Sequence, residues 1–306
     1  MTLIALVATS DYLVQVADRR LTIGRTAVRD QNKTIVVHLP GVKLLVGYAG
    51  LAHWGRAMNT ELVYVFEKLF KQVGLNIEAF YEGIAGALDA RFKESDIAGL
   101  KIEQKAFALV IASIGQGSKT SPLVKCVKVS NYLRLEGESD SMGTSQNFRT
   151  ILYNLEPTQD GPRCAVITIG DDSEFQPKVE QYNELVAGGK GPAYMRDRLV
   201  ADVTRYNPRS RSVGDDVHSV IIGADYEVKS AYHVAKPADR WSFIDQMLIS
   251  EDMSVLAVAA GELTRGADAA KPDGPIIRPR QSKKSRCWCG SGKRFAQCHG
   301  MKSRKD

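Results

Sequence analysis

Apolar residues recur at two different spacings along the first 235 positions, and the two spacings predict strands and helices in turn. Short runs in which almost every residue is apolar favour buried strands, and the turns "TSD" and "PG" join them into hairpins. The two hairpins predicted first are Leu3–Ala8 with Tyr12–Asp18, and Thr34–Leu39 with Lys43–Tyr48. Apolar residues three and four apart then predict amphipathic helices over Leu51–Phe70 and Ile77–Phe92.

The rest of the chain returns to strands and then alternates again. Further strands are predicted at Ala106–Ile114, Leu123–Leu135, Ala165–Gly170, Val217–Ile222 and Tyr226–Val234. Further helices are predicted at Gln146–Leu155, Ala193–Tyr206 and Trp241–Leu263. Hairpins, two helices, more hairpins and another helical layer predict an α+β fold of the four-layer αββα sandwich type.

The pattern changes near residue 236, and this change predicts the domain organisation. We expect one sandwich domain over residues 1–235 and a helix with a basic, proline-containing linker over 236–286. From Ala267 onward the text "ADAAKPDGPIIRPRQSKKSR" is rich in proline, small and basic residues, a composition typical of linkers. A small cysteine-containing segment follows at 287–300.

Charge is distributed unevenly along the 306 residues, which carry a net charge of +6. Residues 277–306 contain ten Lys/Arg and one acidic residue. The preceding 276 residues contain 31 Lys/Arg and 34 Asp/Glu. The basic character therefore belongs to the tail, and it does not argue for nucleic-acid binding by the sandwich domain. No apolar run approaches the ~20 residues of a membrane span, and no secretory signal precedes Leu3, so a cytoplasmic protein is expected.

The five cysteines fall into two groups. Cys126 and Cys164 lie in apolar, strand-like segments and are predicted to be buried thiols. The other three fall within twelve residues of one another near the C-terminus. In a chain expected to be cytoplasmic, such a group suits a metal better than a disulfide framework.

The first strand begins directly after Met1-Thr2, and this position suggests a chemistry. Thr2 is small enough for Met1 to be removed, which would expose its α-amine. An N-terminal threonine can act as a nucleophile whose own amine, titrating near ~7.7–8.0, accepts the hydroxyl proton. Such a residue must be held rigidly, and a strand that starts at Leu3 would hold it.

The stretches "TLIALVATSDYLVQVADRRLTIGRTAV", "NKTIVV" and "LLVGYAGLAH" resemble the N-terminal half of proteasome β-subunits and HslV-type peptidases, which are N-terminal-nucleophile hydrolases. The resemblance implies that Thr2 is the nucleophile, Asp18 the carboxylate and Lys33 the base-side cation. Gly50 would supply a backbone N–H to the oxyanion. By like-charge repulsion Lys33 would lower the pKa of the Thr2 amine, and Asp18 would keep Lys33 charged and oriented.

The same family uses a serine and an Asp-x-x-Ser pair later in the chain. Thr144 or Ser145 in "MGTS" are candidates for the first, although the "GGKGPAYM" stretch around Gly189 competes with them. Asp216 with Ser219 in "GDDVHS" are candidates for the second.

One position departs from the family. An acidic residue is usual shortly after the glycine turn, whereas this chain has His53. That departure leaves two interpretations open, an active hydrolase and a sandwich that has lost catalysis.

The segment "SRCWCGSGKRFAQCHG" has the spacing of a small zinc site. Three thiolates and an imidazole, from Cys287, Cys289, Cys298 and His299, complete a tetrahedral shell, and a closed four-ligand site is structural. The segment resembles the SEC-C motif of the SecA translocation ATPase, with Trp288 where proline is usual. The resemblance implies docking to a protein-export chaperone or to the ribosome, while a merely solubilising basic tail is the alternative.

These observations predict a threonine-dependent N-terminal-nucleophile amidohydrolase or peptidase with a zinc-binding docking tail. Its substrate would be a peptide or another amide, and the resemblance implies a homo-oligomer. Because no apolar run is long enough for a membrane span, no membrane partner is expected. The alternative is an inactive proteasome-like scaffold whose zinc module binds a protein or ribosomal partner. The mass of the native chain separates the two, because a retained Met1 excludes the threonine mechanism.

Overall fold

Strands dominate the computed structural model, which describes residues 3–23, 26–30, 32–51, 53–54, 56–115, 123–132, 143–155, 164–170, 178–206, 217–233 and 244–259. The chain divides into two units, Met1–Gly266 and Ala267–Asp306, and every described residue lies in the first. The predicted zinc segment and linker therefore lie outside the described residues, as does Thr2.

The strands are β1 (Leu3–Thr9), β2 (Tyr12–Asp18), β3 (Arg20–Ile23), β4 (Thr26–Asp30), β5 (Thr34–Leu39), β6 (Val42–Gly50), β7 (His53–Trp54), β8 (Arg56–Ala57), β9 (Phe107–Gly115), β10 (Leu123–Tyr132), β11 (Thr144–Asn154), β12 (Cys164–Gly170), β13 (Val217–Gly223), β14 (Val228–His233), β15 (Ile244–Ile249) and β16 (Val255–Ala259). The helices are α1 (Met58–Val73), α2 (Ile77–Phe92), α3 (Ser95–Ala98), α4 (Val179–Ala187) and α5 (Pro192–Tyr206), with a 3-10 helix at Ile102–Lys105. The two predicted hairpins and the helices at Ile77–Phe92 and Ala193–Tyr206 are confirmed. No described helix is both long and apolar enough to cross a membrane.

Local chemistry explains where helix α2 begins and which face helix α1 buries. Asn76 caps α2, since its side-chain oxygen accepts a hydrogen bond from the Ala79 N–H at 3.1 Å. In α1 the buried residues Met58, Leu62 and Leu69 recur at helical spacing, as the sequence predicted. Both helices therefore present one apolar face to a sheet.

Two large sheets form the centre of the first unit. One has five strands in the order β12-β1-β2-β13-β14, and the other has seven in the order β11-β10-β9-β6-β5-β15-β16. Neighbouring strands are antiparallel except β15, which runs parallel to β5. Two further two-stranded sheets, β3-β4 and β7-β8, complete the described strands.

Three apolar clusters show how the layers stack. Helices α1 and α2 bury Phe66, Phe70 and Phe80 against the outer face of the seven-stranded sheet. Residues of both sheets, such as Leu6 and Leu45, pack together in a second cluster between the sheets. The third cluster packs residues of α4 and α5 against the outer face of the five-stranded sheet. The order helix, sheet, sheet, helix is the predicted four-layer arrangement.

Two predicted helices are wrong. Residues 146–154 belong to strand β11, which buries Phe148 and leaves Leu152 55% exposed. The helix predicted at Trp241–Leu263, within the 236–286 segment, is replaced by strands β15 and β16. The turn between them forms because Asp252 accepts hydrogen bonds from Ser250 Oγ and Ser254 N.

Strands β15 and β16 extend the seven-stranded sheet beyond residue 235, the predicted end of the sandwich domain. The two cysteines of this unit are free thiols. Cys126 is buried as predicted, and burial raises its pKa, whereas Cys164 is half-buried and donates to Asn183 Oδ1 at 2.9 Å.

Candidate functional site

A buried ion pair lies at one end of the sandwich, where β2 ends and the segment leading into β5 begins. Lys33 Nζ is 3.2 Å from Asp18 Oδ1 and 3.3 Å from Oδ2, and the two side chains are 1% and 0% exposed. The Leu3 backbone N–H donates to the same Asp18 Oδ1 at 2.9 Å. Asp18 therefore ties the lysine to the first residue of β1.

The β1–β2 hairpin and its neighbour fix this contact. In the five-stranded sheet Leu3 pairs with Gly170 of β12, and Asp18 pairs with Val217 of β13. Because strands pair with both sides of the β1–β2 hairpin, the backbone at Asp18 is held in one position. The structure thus brings together two predicted site residues, Asp18 and Lys33, beside the residue bonded to Thr2.

Lys33 itself is held by a buried network that the sequence did not predict. The Tyr48 hydroxyl donates to the Asn32 carbonyl at 2.9 Å and also hydrogen-bonds Asn59 of α1, while the Tyr48 N–H donates to the Lys33 carbonyl at 3.1 Å. Asn32 Oδ1 accepts the Thr34 N–H at 3.1 Å. The backbone on both sides of Lys33 is therefore fixed by partners from β6 and α1.

Gly50 lies at the end of β6 with φ of 97°, a left-handed conformation that favours glycine. A Cβ atom on this residue would stand 2.2 Å from the Ala106 carbonyl oxygen, so no larger residue fits without a shift of the backbone. The next residue, Leu51, donates its N–H to the same carbonyl at 2.9 Å. Gly50 is therefore a fixed point of the backbone rather than an open loop.

The later candidates do not join this pair. Thr144 and Ser145 lie on β11, the outermost strand of the seven-stranded sheet, three strands from β6. Gly189 follows α4 with φ of 72°, in the turn that ends that helix. Asp216 lies outside the described residues, as does the side chain of His53.

Among the described residues, the hydrogen-bond partners of Ser219 lie on β14. Its Oγ lies 2.9 Å from His233 Nε2 and 3.4 Å from the Ala231 carbonyl. A serine beside a histidine is the geometry of an activated nucleophile, but Ser219 is 1% exposed and shares the face of Val217 and Ile221, which pack under the α4 and α5 layer. A substrate has no access to it, and a structural role fits better.

A stack of aromatic and charged groups follows Asp18. His218 stacks on Tyr232 with ring centroids 4.4 Å apart, and the Arg19 guanidinium lies 4.8 Å from the centre of the Tyr232 ring. His218 Nε2 is 2.7 Å from Ser230 Oγ. Burial, followed by the charge of Arg19 and the nearby His233, lowers the pKa of His218 to about 3, so this imidazole is neutral at pH 7.

Metal ligands are absent from the described part of the chain, in which no group of three or more His, Cys, Asp or Glu side chains could hold an ion. The predicted zinc ligands Cys287, Cys289, Cys298 and His299 lie outside the described residues, as does Trp288. Their segment does match a known family: the SEC-C motif covers residues 284–300.

The fold of the first unit resembles solved structures of Anbu, named as an ancestral β-subunit. Anbu from Yersinia bercovieri aligns with a TM-score of 0.52 at 12% identity, over 77% of this chain and 88% of that one. The Anbu (Gly-1) mutant from Hyphomicrobium sp. strain MC1 gives a TM-score of 0.50 at 16% identity, over 77% and 88%. The helical assembly of the Anbu complex from Pseudomonas aeruginosa gives 0.50 at 12% identity, over 78% and 88%.

At these identities the likeness concerns the fold, which is proteasome-like. No curated protein sequence matches the chain significantly.

Proposed function

We propose that the chain is a threonine-dependent N-terminal-nucleophile amidohydrolase or peptidase. The observation that carries the proposal is the shared Asp18 Oδ1, which accepts both the Lys33 ammonium and the Leu3 N–H. Leu3 is bonded directly to Thr2, the candidate nucleophile, and the Leu3 N–H shares Asp18 Oδ1 with the buried Lys33 ammonium.

The reaction follows from this arrangement. Once Met1 is removed, the Thr2 amine takes the proton of the Thr2 hydroxyl, and Oγ attacks the amide carbon of the substrate. The Gly50 N–H stabilises the developing oxyanion, and the leaving amine takes up the proton as the C–N bond breaks. Water then hydrolyses the Thr2 ester, which releases the acid product and restores the hydroxyl.

Asp18 and Lys33 form no covalent bond with the substrate; Asp18 orients Lys33, and Lys33 provides a positive charge. Both carboxylate oxygens contact the lysine, and one also accepts the Leu3 N–H, so Asp18 is held as an acceptor. A lysine held close to the Thr2 amine favours the neutral amine, because two like charges repel each other. The amine would then be available as a base near pH 7.

Mass spectrometry and a covalent probe test this proposal directly. We expect the purified chain to lack Met1, to cleave at least one member of a fluorogenic peptide panel, and to be labelled at Thr2 by a β-lactone. Thr2→Ala should abolish both signals and Thr2→Ser should keep part of them. Thr204→Ala is the matched control, because this exposed hydroxyl only donates to Val200 O at 2.7 Å. A chain that retains Met1 ends the proposal.

A second candidate function is favoured by the tail. The SEC-C match and the ten basic residues of positions 277–306 support a docking module on a proteasome-like scaffold without catalysis. Its partner would be an acidic protein face or ribosomal RNA, either of which suits a basic footprint. Cleavage of the peptide panel would exclude the inactive scaffold, whereas loss of partner binding in a tail variant would support the docking role in either case.

The proposal for the tail includes one structural zinc ion. Cys287, Cys289, Cys298 and His299 provide three sulfur ligands and one nitrogen ligand, the set that a closed tetrahedral zinc site uses. Bound zinc would supply the folding energy of a segment too short to bury a core.

Self-assembly is the last part of the proposal. One of the similar solved structures is a helical assembly of Anbu, and we propose that this chain also forms a homo-oligomer. Tyr64 of α1 is 46% exposed on the outer face of the sandwich and would lie in such an interface.

The proposed location is the cytoplasm. Cys126 and Cys164 are free thiols, which suits this location.

A further inference from the structure

We propose that Asn131 is a positioning residue for the Gly50 backbone, the group assigned to the oxyanion. This inference rests on the proposed function and extends it to a residue on a different strand. Asn131 is 2% exposed and lies near the end of β10, two strands from β6.

Asn131 lies where the ladder between β10 and β11 changes register. Ser130 pairs with Arg149 but Tyr132 pairs with Thr144, so the extra residues of this irregularity belong to β11. Irregularities of this kind are frequent beside active sites. On the other side, the Asn131 side-chain amide hydrogen-bonds backbone at the start of β9.

Asn131 makes two short hydrogen bonds there. Its Nδ2 donates to the Lys105 carbonyl at 2.8 Å, and its Oδ1 accepts the Phe107 N–H at 2.8 Å. Lys105 is the last residue of the 3-10 helix, so its carbonyl lies at a helix end where an external donor is required. One side-chain amide therefore holds the peptide groups on both sides of Ala106.

The carbonyl group of Ala106 contacts the backbone of Gly50 and Leu51. Its carbonyl accepts the Leu51 N–H at 2.9 Å, and the same oxygen fills the space where a Gly50 side chain would be. Since the Ala106 peptide groups are fixed by Asn131, the direction of the Gly50–Leu51 backbone is fixed by Asn131 as well. An oxyanion donor displaced by about 1 Å is costly, because catalysis requires donors aimed at the transition state.

Asn131→Asp tests the inference with little change in shape. The variant keeps an oxygen for the Phe107 N–H and loses the donor to the Lys105 carbonyl. Asn131→Ala removes both contacts. Ser130→Ala is the matched control, because this neighbouring buried hydroxyl accepts the Tyr132 N–H at 3.1 Å and does not contact Ala106.

Two measurements are needed, residue-resolved hydrogen exchange and kinetics with the best peptide of the fluorogenic panel. We expect exchange of the Leu51 amide to be at least tenfold faster in Asn131→Asp, and kcat to fall about a hundredfold with KM within threefold. Ser130→Ala should stay within twofold of the wild type in both. If Asn131→Ala fails to fold, Asn131→Asp still decides the question.

Unchanged Leu51 exchange in Asn131→Asp would overturn the inference. So would faster exchange with an unchanged kcat in an active enzyme, because Asn131 would then stabilise the backbone without serving catalysis. A wild-type chain that the β-lactone does not label would instead contradict the proposed function, while faster Leu51 exchange would still support the coupling between Asn131 and Leu51.

Discussion

Removal of one partner from the Asp18–Lys33 pair should destabilise the chain far more than removal of both. The two groups are 0% and 1% exposed, so neither can regain water when the other is lost. Breaking such a buried pair costs about 3–5 kcal/mol, a large part of the ~5–15 kcal/mol by which a domain is stable. Lys33→Met and Asp18→Asn should each show a loss of this size.

The double variant should be much closer to the wild type. Asp18→Asn keeps an oxygen that can accept the Leu3 N–H, and Lys33→Met fills the space of the lysine stem without a charge. Replacing a buried ion pair by neutral groups is often close to neutral, so we expect a cost of about 0–2 kcal/mol. The coupling free energy between the two sites should therefore be about 4 kcal/mol or more.

Urea unfolding followed by far-UV circular dichroism measures these values, provided that all four chains share one m-value. The control cycle uses Lys71→Met and Glu67→Gln, an ion pair of 2.6 Å whose side chains are 57% and 35% exposed. Its members should each change stability by less than about 1 kcal/mol. If the losses at Asp18 and Lys33 add within about 0.5 kcal/mol, the two groups do not depend on each other and the reasoning fails.

Three further predictions concern other parts of the chain. Elemental analysis should find one zinc per chain, and Cys298→Ser should lose it while the melting transition of the sandwich stays in place; no zinc, or chelation that melts the whole chain, would contradict the module. Light scattering at micromolar concentration should show an oligomer, and a monomer would count against assembly. Residues 51–70 and 77–92 should contribute to its interface. The pKa of His218 is lowered in the folded state, so the wild type should lose stability as the pH falls from about 6.5 to about 3, by up to ~1.4 kcal/mol per pH unit. His218→Asn should show a smaller dependence of stability on pH. If the wild type and the variant show the same dependence, His218 does not titrate on unfolding.

The parts of the fold that the sequence predicted well are those whose burial repeats locally. Strand β1 is buried at every position, and α1 buries residues at helical spacing, so short windows were enough. The helix predicted at Gln146–Leu155 is wrong because the local sequence does not show that this segment pairs with β10. That pairing makes it an edge strand of the seven-stranded sheet, and it exists only in the folded chain.

The candidate site also has a part that the sequence predicted and a part that it did not. The resemblance named Asp18 and Lys33, which the structure joins at 3.2 Å, but the residues that hold them had no local signal. Asn59 of α1 and the Asn32 carbonyl both hydrogen-bond the Tyr48 hydroxyl, so these contacts join a helix, strand β6 and the segment before β5. Isolated buried amides of this kind are visible only when the fold brings distant segments together.

The parallel pairing of β15 with β5 has a consequence for biosynthesis. The His38 and Gln246 side chains meet at 3.0 Å although they are 208 residues apart, and β5 directly follows Lys33. At about 5–20 residues per second, a ribosome needs roughly 10–40 s between the two. Throughout that interval β5 has an open edge, where a nascent chain is prone to wrong pairing. The seven-stranded sheet would therefore be completed late in translation, after most of the other described strands have emerged.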